Sequence, residues 1–365
     1  MPHRMVLSLL LAGGYRGERR MGRWMTYRVS IKGDDTALSV EMGRTILDAA
    51  LAQGGPFPHS CRAGNCGTCK CRLLSGEVEM SPYSEFALTD AEKDRGFILA
   101  CRAVPWSDCA IELAQEDDQV VHPSRDMACH VVSIKPLTHD ILALELAIPP
   151  GAPFRFTAGQ FADVALPGLP ARSWSMANQP DAEHLVFYVR VIPGGRASAY
   201  LANHLKPGDP VRVKGPGGTA YLREGRKGPI LAIAGGSGLS PVQSIVDRAA
   251  ALGWADPVHV YFGVRDARDL YLSDHFEALC ARNDQFHYTP VLSEPSGDTP
   301  YRTGMVTDAV AQDFPSLEGF VAYLAGPPPM VEAAERLLPS LGIAPSDIHA
   351  DAFYTSADQQ QEPKP

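Results

Sequence analysis

Apolar and polar residues alternate in TYRVSIKG, from Thr26, and again in TALSVEM, from Thr36, so every second side chain can face one side of a sheet. The two runs predict a hairpin that turns at Gly33 to Asp35. The period then lengthens. Ile46, Leu47, Ala50 and Leu51 fall on one helical face, Thr45 and Asp48 have capping-box spacing, and Gly54 and Gly55 end the run. The stretch QEDDQVVHPSRD is polar and contains Pro123, which predicts a linker over 115–126. Residues 127–225 break into short β-rich runs, HVVSIKPL, ILALELAI, FADVAL, LVFYVRVI and PVRVKG, separated by glycine and proline, which predicts a small antiparallel barrel. From 226 to 365, strands and helices alternate. The strands PILAIA, VHVYFGV, FHYTPVLS, FVAYLAG and IHADAF enclose the helices SPVQSIVDRAAALG, LSDHFEALCARN, MVTDAVAQDF and PMVEAAERLLPSLG, a pattern that predicts a parallel doubly wound sheet with a C-terminal tail.

Composition changes this picture little. A chain of 365 residues with 45% hydrophobic and 21% charged content has ample material for two or three globular domains. The 33 basic and 42 acidic residues give a formal charge of -9, which argues against nucleic acid as a partner. No stretch reaches about 18 consecutive apolar residues, so no membrane helix is expected. The run MVLSLLLAGG is followed by Arg16, Arg19, Arg20 and Arg23, whereas a signal peptide carries its positive charge in front. With Met21 and Met25 also available, residues 1–24 read as an upstream extension from a wrongly chosen start, and a cytoplasmic location is expected.

Chemistry enters at HSCRAGNCGTCKC, residues 59 to 71, where Cys61, Cys66 and Cys69 follow the spacing C-x4-C-x2-C. That is the plant-type [2Fe-2S] ligand run, and FILACRA supplies a fourth thiol, Cys101, after 31 intervening residues. Gly64 and Gly67 let the backbone turn and bring its N–H groups toward the sulfurs. A zinc site would pair symmetric C-x2-C hooks, and a disulfide framework suits a small secreted chain, so neither fits as well. Cys71 is the nearest rival ligand but lies on the predicted strand CRLLSG; Cys109, Cys129 and Cys280 are scattered and read as small core residues. Eight cysteines with four committed to a cluster fit a reducing compartment.

Two further stretches suit nucleotide cofactors. In the barrel region, RSWSMAN and PGGRAS offer what a flavin needs: an aromatic face in Trp174, a donor in Ser175, positive charge in Arg172, and a turn into a helix with Ser198 at its N-cap. Ser173, Gly194 and Gly195 lie in the same two stretches. In the alternating region the first strand runs into GGSGLSP, where Gly235, Gly236 and Gly238 permit close backbone approach, Ser240 can cap and Pro241 falls in the first helical turn. The run departs from G-x-G-x-x-G, so its place at a strand's carboxyl end counts for more than its letters.

Residues 26–114 resemble plant-type ferredoxins, and residues 26–356 together resemble the reductase components of bacterial Rieske-type ring-hydroxylating oxygenases, above all the naphthalene-dioxygenase type. The resemblance rests on the cluster loop, RSWS where the family has Arg-x-Tyr-Ser, PGGRAS, GPGGTAYL, GGSGLSP, YFGVR, AGPPPM and IHADAFY, in that order. It implies a β-grasp module (25–114) holding [2Fe-2S] on Cys61, Cys66, Cys69 and Cys101, an FAD-binding barrel (127–225) and an NAD-binding α/β unit (226–365). It further implies FAD contacts at Arg172, Trp174, Ser175 and Ser198, a nucleotide frame of Gly235, Gly236, Gly238, Arg265, Gly326 and Pro327, and Phe353 covering the flavin face. Ser175 and Phe353 are then the residues nearest the chemistry. Two positions depart from the family: Trp174 replaces a common Tyr, keeping a stacking face without its hydroxyl, and Ala325 replaces a common Cys.

The expected activity follows from electron counting, since a nicotinamide gives up two electrons together and an iron–sulfur cluster takes one at a time, with a flavin converting between them. NADH is expected over NADPH because Asp266 and Asp269 follow YFGV, although Arg265 and Arg268 pull the other way. The expected partner is a Rieske ferredoxin or Rieske oxygenase, with the reductase itself monomeric and with no membrane or nucleic-acid partner. The rivals are a reductase for a soluble diiron monooxygenase and a redox-sensing or electron-storage module without turnover. No acid–base triad is required, so His139, His184 and His287 read as ordinary surface or core residues.

Overall fold

The computed structural model describes residues 25–354 except 34–36, 56, 60–61, 65–66, 84–86, 114–119, 121 and 152. The expected extension at 1–24, the expected ligands Cys61 and Cys66, and most of the expected linker before Val120 therefore lie outside the described residues.

The first unit runs through β1 (Thr26–Ile31), β2 (Ala37–Glu41), α1 (Ile46–Ala52), β3 (Lys70–Ser75), β4 (Val78–Met80), α2 (Asp90–Asp94), β5 (Phe97–Leu99), β6 (Ala103–Pro105) and β7 (Cys109–Leu113). Its sheet has the order β2-β1-β7-β3-β5, with β1 antiparallel to β2 and parallel to β7, while β4 and β6 pair separately. Ile46, Leu47, Ala49 and Ala50 bury one face of α1 against this sheet. Only half of the expected capping box forms there. Thr45 Oγ1 accepts from the Asp48 N–H, but the Asp48 carboxylate turns outward to Arg62, its chain being too short to reach back as Glu would. The complete box is at α2, where the Thr89 hydroxyl accepts from the Glu92 N–H and the Glu92 carboxylate accepts from the Thr89 N–H.

The second unit holds β8 (Arg125–Pro136), β9 (Ile141–Ala147), β10 (Phe161–Ala165), β11 (Arg172–Ser175), β12 (His184–Arg190), α3 (Arg196–Asn203) and β13 (Pro210–Gly217). The antiparallel order is β11-β10-β13-β8-β9-β12, and a bridge between Met176 and Phe187 brings the two edges together into a nearly closed barrel. Alternating inward residues such as Leu144, Leu146, Leu185, Phe187, Val211 and Val213 fill it. RSWS, read from its letters as a binding stretch, is itself the edge strand β11, four residues long.

The third unit comprises β14 (Ile230–Gly235), α4 (Leu239–Ala251), β15 (Val258–Val264), α5 (Ser273–Arg282), β16 (Phe286–Leu292), β17 (Arg302–Thr303), α6 (Val306–Asp313), β18 (Val321–Gly326), α7 (Pro328–Ser340) and β19 (Ile348–Ala352). All its strands are parallel, in the order β17-β16-β15-β14-β18-β19. Every residue of β14 and β18 is buried, as expected of central strands covered by helices on both faces. The chain winds outward from β14 through β15, β16 and β17, then returns to the other side of β14 as β18. The gap between the carboxyl ends of β14 and β18 is thus the topological switch point, where open α/β sheets bind ligands. Among the described residues no helix is long and apolar enough to cross a membrane.

Candidate functional site

Barrel and α/β unit are joined at the switch point by Ser175, the last residue of β11, which is only 6% exposed. Its Oγ donates to Asp351 Oδ2 on β19 at 3.1 Å, and its carbonyl accepts from Ser240 Oγ on α4 at 2.7 Å. Two residues beyond the bridge, Asn178 repeats the pattern: its carbonyl accepts from Ser244 Oγ at 2.7 Å while its Oδ1 holds the Val186 N–H. Asp351 stands beside Ala325 in register, so the position that departs from the family lies next to the acceptor of the Ser175 hydroxyl.

The starts of α4 and α7 lie at this junction and that of α3 follows the barrel strand β12; none of the three carries a side-chain cap. The N-cap of α3 is Gly195, that of α4 is Gly238 and that of α7 is Pro327. This corrects two expectations. Ser198 lies inside α3, where its hydroxyl donates to the Gly195 carbonyl and accepts from the Ile192 N–H, tightening the PGG turn. Ser240 lies inside α4 and spends its hydroxyl on Ser175. Pro241 does fall in the first turn of α4. The serines shape the turns, and the start of α3 is left to offer N–H groups to a phosphate; at α4 the Leu239 N–H already donates to the Gly236 and Ser237 carbonyls, and α7 opens on Pro328 and Pro329, which have none.

The glycines divide into two kinds. A Cβ on Gly238 would lie 2.0 Å from the Ala325 carbonyl oxygen, one on Gly326 2.8 Å from that of Gly235, and one on Gly235 2.7 Å from Met330 Sδ. These three let the ends of β14 and β18 and the start of α4 touch backbone to backbone. Gly236, at φ +55°, is different: its only close neighbour is the Arg190 guanidinium, 3.2 Å from where a Cβ would stand. Its carbonyl accepts from Tyr271 Oη at 2.9 Å, so a buried tyrosine fixes the one glycine of the run that faces the cleft.

Around the barrel rim, Arg172 and Ser173 are exposed, the latter donating to its cross-strand partner Asp163 at 2.6 Å. Trp174 is half-buried, tilted 56° against Phe187 with ring centres 6.4 Å apart, which leaves part of the indole facing outward. Gly194 takes φ +75° in the turn before α3. Phe353 is half-buried beyond β19, tied by its N–H to the Gly326 carbonyl at 2.8 Å. Arg265, just past β15, is engaged by Asp269 and Asp140.

Cys69 and Cys101 are brought together, 3% and 5% exposed, and the Cys101 N–H donates to Cys69 Sγ at 3.4 Å. Such a bond to sulfur, with Gly64 at φ +80° and Gly67 at φ +73° turning the loop, suits a thiolate-held cluster. Cys71 is enclosed in β3 between Ile98 and Leu113; Cys109 and Cys129 are core residues and Cys280 is half-buried. The loop packs on the barrel: Thr219 Oγ1 donates to Thr68 Oγ1 at 3.3 Å, and the His59 ring meets Phe161 edge-on with centres 6.3 Å apart. Phe161 is the cross-strand partner of Ser175, so the loop reaches the switch point through a single packed ring. His184 and His287 lie elsewhere, against Glu145 and His259, whereas His139 lies against Asp140 and Asp269, the two carboxylates that engage Arg265.

Sequence reasoning missed Asp351, Tyr271, Arg190 and Asp140. Their partners are 35 to 176 residues away along the chain, and no short-range pattern marks them.

Three family models match in chain order: a 2Fe-2S iron-sulfur cluster binding domain over 29–105, an oxidoreductase FAD-binding domain over 128–221 and an oxidoreductase NAD-binding domain over 232–336. Among curated relatives, the reductase component of naphthalene 1,2-dioxygenase/salicylate 5-hydroxylase systems from Ralstonia sp is 41% identical over 319 residues, 87% of this chain and 96% of that one. The corresponding component of the Pseudomonas putida naphthalene 1,2-dioxygenase system is 38% identical over 326 residues, 89% of this chain and 98% of that one. Among solved structures, the Amycolatopsis cytochrome P450 reductase superposes with a TM-score of 0.74 at 36% identity, covering 90% of this chain and 99% of that one. The expected order of cluster module, antiparallel barrel and parallel nucleotide-binding sheet is borne out.

Proposed function

The chain belongs to the family of ferredoxin–NAD(P)+ reductase components of oxygenase systems, and from that premise we propose that it draws electrons from NADH in preference to NADPH and delivers them to a Rieske ferredoxin or Rieske oxygenase. It is an NAD(P)H-dependent oxidoreductase with iron–sulfur, FAD and NAD modules in one chain. The observation that supports the reading best is the burial of Ser175 where the barrel edge, the start of α4 and the end of β19 meet, with the cluster loop one ring away.

In this reading residues 25–114 form the cluster module, 115–126 the linker, 127–225 the flavin barrel and 226–365 the nucleotide unit, with 1–24 an extension. Cys61, Cys66, Cys69 and Cys101 hold the [2Fe-2S] cluster. Arg172, Ser173, Trp174, Ser175, Gly194, Gly195 and Ser198 bind FAD, and Gly235, Gly236, Gly238, Arg265, Gly326 and Pro327 frame the nicotinamide nucleotide. A bound FAD would supply the conversion between the two-electron chemistry of a nicotinamide and the one-electron chemistry of an iron–sulfur cluster. The protein's own part is positional. Ser175 offers a hydroxyl whose orientation Asp351 sets, the uncapped start of α3 offers N–H groups to a phosphate, and Phe353 would cover the flavin face.

Anaerobic addition of NADH and NADPH to the FAD-loaded protein, followed by a purified acceptor, tests both parts. Faster bleaching by NADH and electron delivery to a Rieske protein are expected. Faster bleaching by NADPH overturns the donor assignment, and delivery only to a diiron hydroxylase overturns the acceptor. A protein whose flavin NADH does not bleach at all would be the storage module instead.

A further inference from the structure

Four charged side chains close the seam between barrel and nucleotide unit at the tip of the hairpin joining β8 to β9. Asp140 Oδ2 accepts from Nε and Nη2 of Arg190, both at 2.9 Å, and from Nη2 of Arg265 at 3.3 Å. Arg265 also forks onto Asp269, its Nε donating to Oδ2 at 3.1 Å and its Nη2 to Oδ1 at 3.4 Å, and His139 lies against both carboxylates, 3.4 Å from Asp269 Oδ1 and 3.9 Å from Asp140 Oδ2. The carboxylate of Asp140 is held from behind, because Thr138 Oγ1 donates to its Oδ1 at 3.1 Å and the Val191 N–H donates to its carbonyl at 2.7 Å. Two arginines and two aspartates sum to zero formal charge.

The location gives this neutrality a consequence. Arg265 follows β15, the strand beside β14, where doubly wound nucleotide domains tell a ribose 2′-hydroxyl from a 2′-phosphate and where a free arginine favours the phosphate. An arginine whose Nε and Nη2 already serve two carboxylates has only part of its fork left for a phosphate and brings no net charge. One of those carboxylates, Asp269, comes from the same segment as Arg265; the other, Asp140, reaches across from the barrel.

We propose that Asp140 is a positioning residue that sets nucleotide preference from the neighbouring domain: it holds Arg265 away from the ribose 2′ position and so disfavours NADPH. This rests on the nucleotide reading of the switch point given above, and the experiment separates the two. Asp140→Asn in the FAD- and cluster-loaded protein is expected to raise the affinity for NADP+ relative to NAD+ by about tenfold, as the release of a charge-assisted donor implies. Calorimetric dissociation constants give this directly, and the ratio of kcat/KM for NADPH and NADH should move the same way. With Arg265→Ala already in place, the same substitution should leave both ratios unchanged. Asp140→Ser, which keeps a turn-forming hydroxyl, gives the same reading should the asparagine variant not fold. An unchanged ratio, an equal loss with both nucleotides, or a gain that persists without Arg265 overturns the inference. A wild-type protein that already prefers NADPH overturns the donor assignment on which it rests.

Discussion

Ser175 on the barrel edge and Asp351 on the last strand of the nucleotide unit share a buried 3.1 Å hydrogen bond across 176 residues of chain. The carboxylate is the acceptor, so the serine hydroxyl is committed as a donor toward Asp351 and leaves its lone pairs toward the cleft. Removing the hydroxyl and removing its acceptor should therefore have different effects. Ser175→Ala is expected to slow anaerobic flavin reduction by NADH about 100-fold, within the range for a positioned polar group at a reacting centre, and to lower the melting temperature because the buried Asp351 carboxylate loses a donor. Asp351→Ala leaves a buried hydroxyl without its acceptor and should cost about 1–3 kcal/mol of stability as well as rate. Stopped-flow absorbance and calorimetry on the two variants check this; equal rates for Ser175→Ala and wild type would remove Ser175 from the chemistry.

Electron exit is separable from electron entry because the cluster module is a unit of its own, whose loop meets the barrel in the His59–Phe161 ring contact and the Thr219–Thr68 hydrogen bond. Cys101→Ser should abolish the cluster's visible absorbance and delivery to the protein acceptor, since a ligand thiolate is gone. NADH-dependent reduction of small dyes should stay within about twofold of wild type, because their electrons come from the flavin. Loss of dye reduction in a variant that still binds FAD would refute this division.

How much of this could be read beforehand depends on the range of the interactions involved. The hairpin at Thr26, the barrel runs and the strand–helix alternation after residue 226 were legible because side-chain period is local, and the cysteine spacing was legible because one short loop carries three ligands. Ser198 and Ser240 were misread as caps for the same reason. A serine near a helix start has the local signature of a cap, yet Ser240 finds a better acceptor 65 residues away on the barrel. RSWS was invisible as a strand because four residues with three polar side chains show no alternation, and its pairing with β10 is decided by the closing of the barrel.

The glycines of GGSG offer a contrast that sequence alone does not. Gly238→Ala would drive a Cβ to 2.0 Å from the Ala325 carbonyl oxygen, a backbone atom that cannot move aside, so the variant should fail to accumulate as folded protein or lose several degrees in melting temperature. Gly236→Ala meets only the end of the Arg190 side chain, and its left-handed φ costs an alanine about 1 kcal/mol. It should fold, bind FAD, and show a KM for NADH raised about tenfold, because the added Cβ stands in the strand-to-helix turn that frames the nucleotide. If both variants fold equally well, the separation of packing glycines from the cleft-facing one is wrong.

Acid stability should report on His349, which is buried on β19 with its ring stacked on Tyr323, centres 5.3 Å apart. Burial, followed by the charges of Arg223 and Arg226, lowers its pKa to about 3. The unfolded chain titrates near 6.5, so between those values the unfolded state holds a proton that the folded state does not. Stability from this group is therefore complete above pH 6.5 and falls as the pH drops toward 3, reaching a loss of about 2 kcal/mol by pH 5 at about 1.4 kcal/mol per pH unit. His259, lowered to about 4 chiefly by its own burial and then by His287, adds a loss of the same sign that levels off at a higher pH. His349→Phe keeps the ring on Tyr323 but cannot protonate. The difference in unfolding free energy between variant and wild type should shift by about 2 kcal/mol in favour of the variant from pH 7.5 to pH 5. Urea unfolding at the two pH values measures it, and parallel curves for the two proteins would mean that His349 titrates in the folded chain much as it does in the unfolded one.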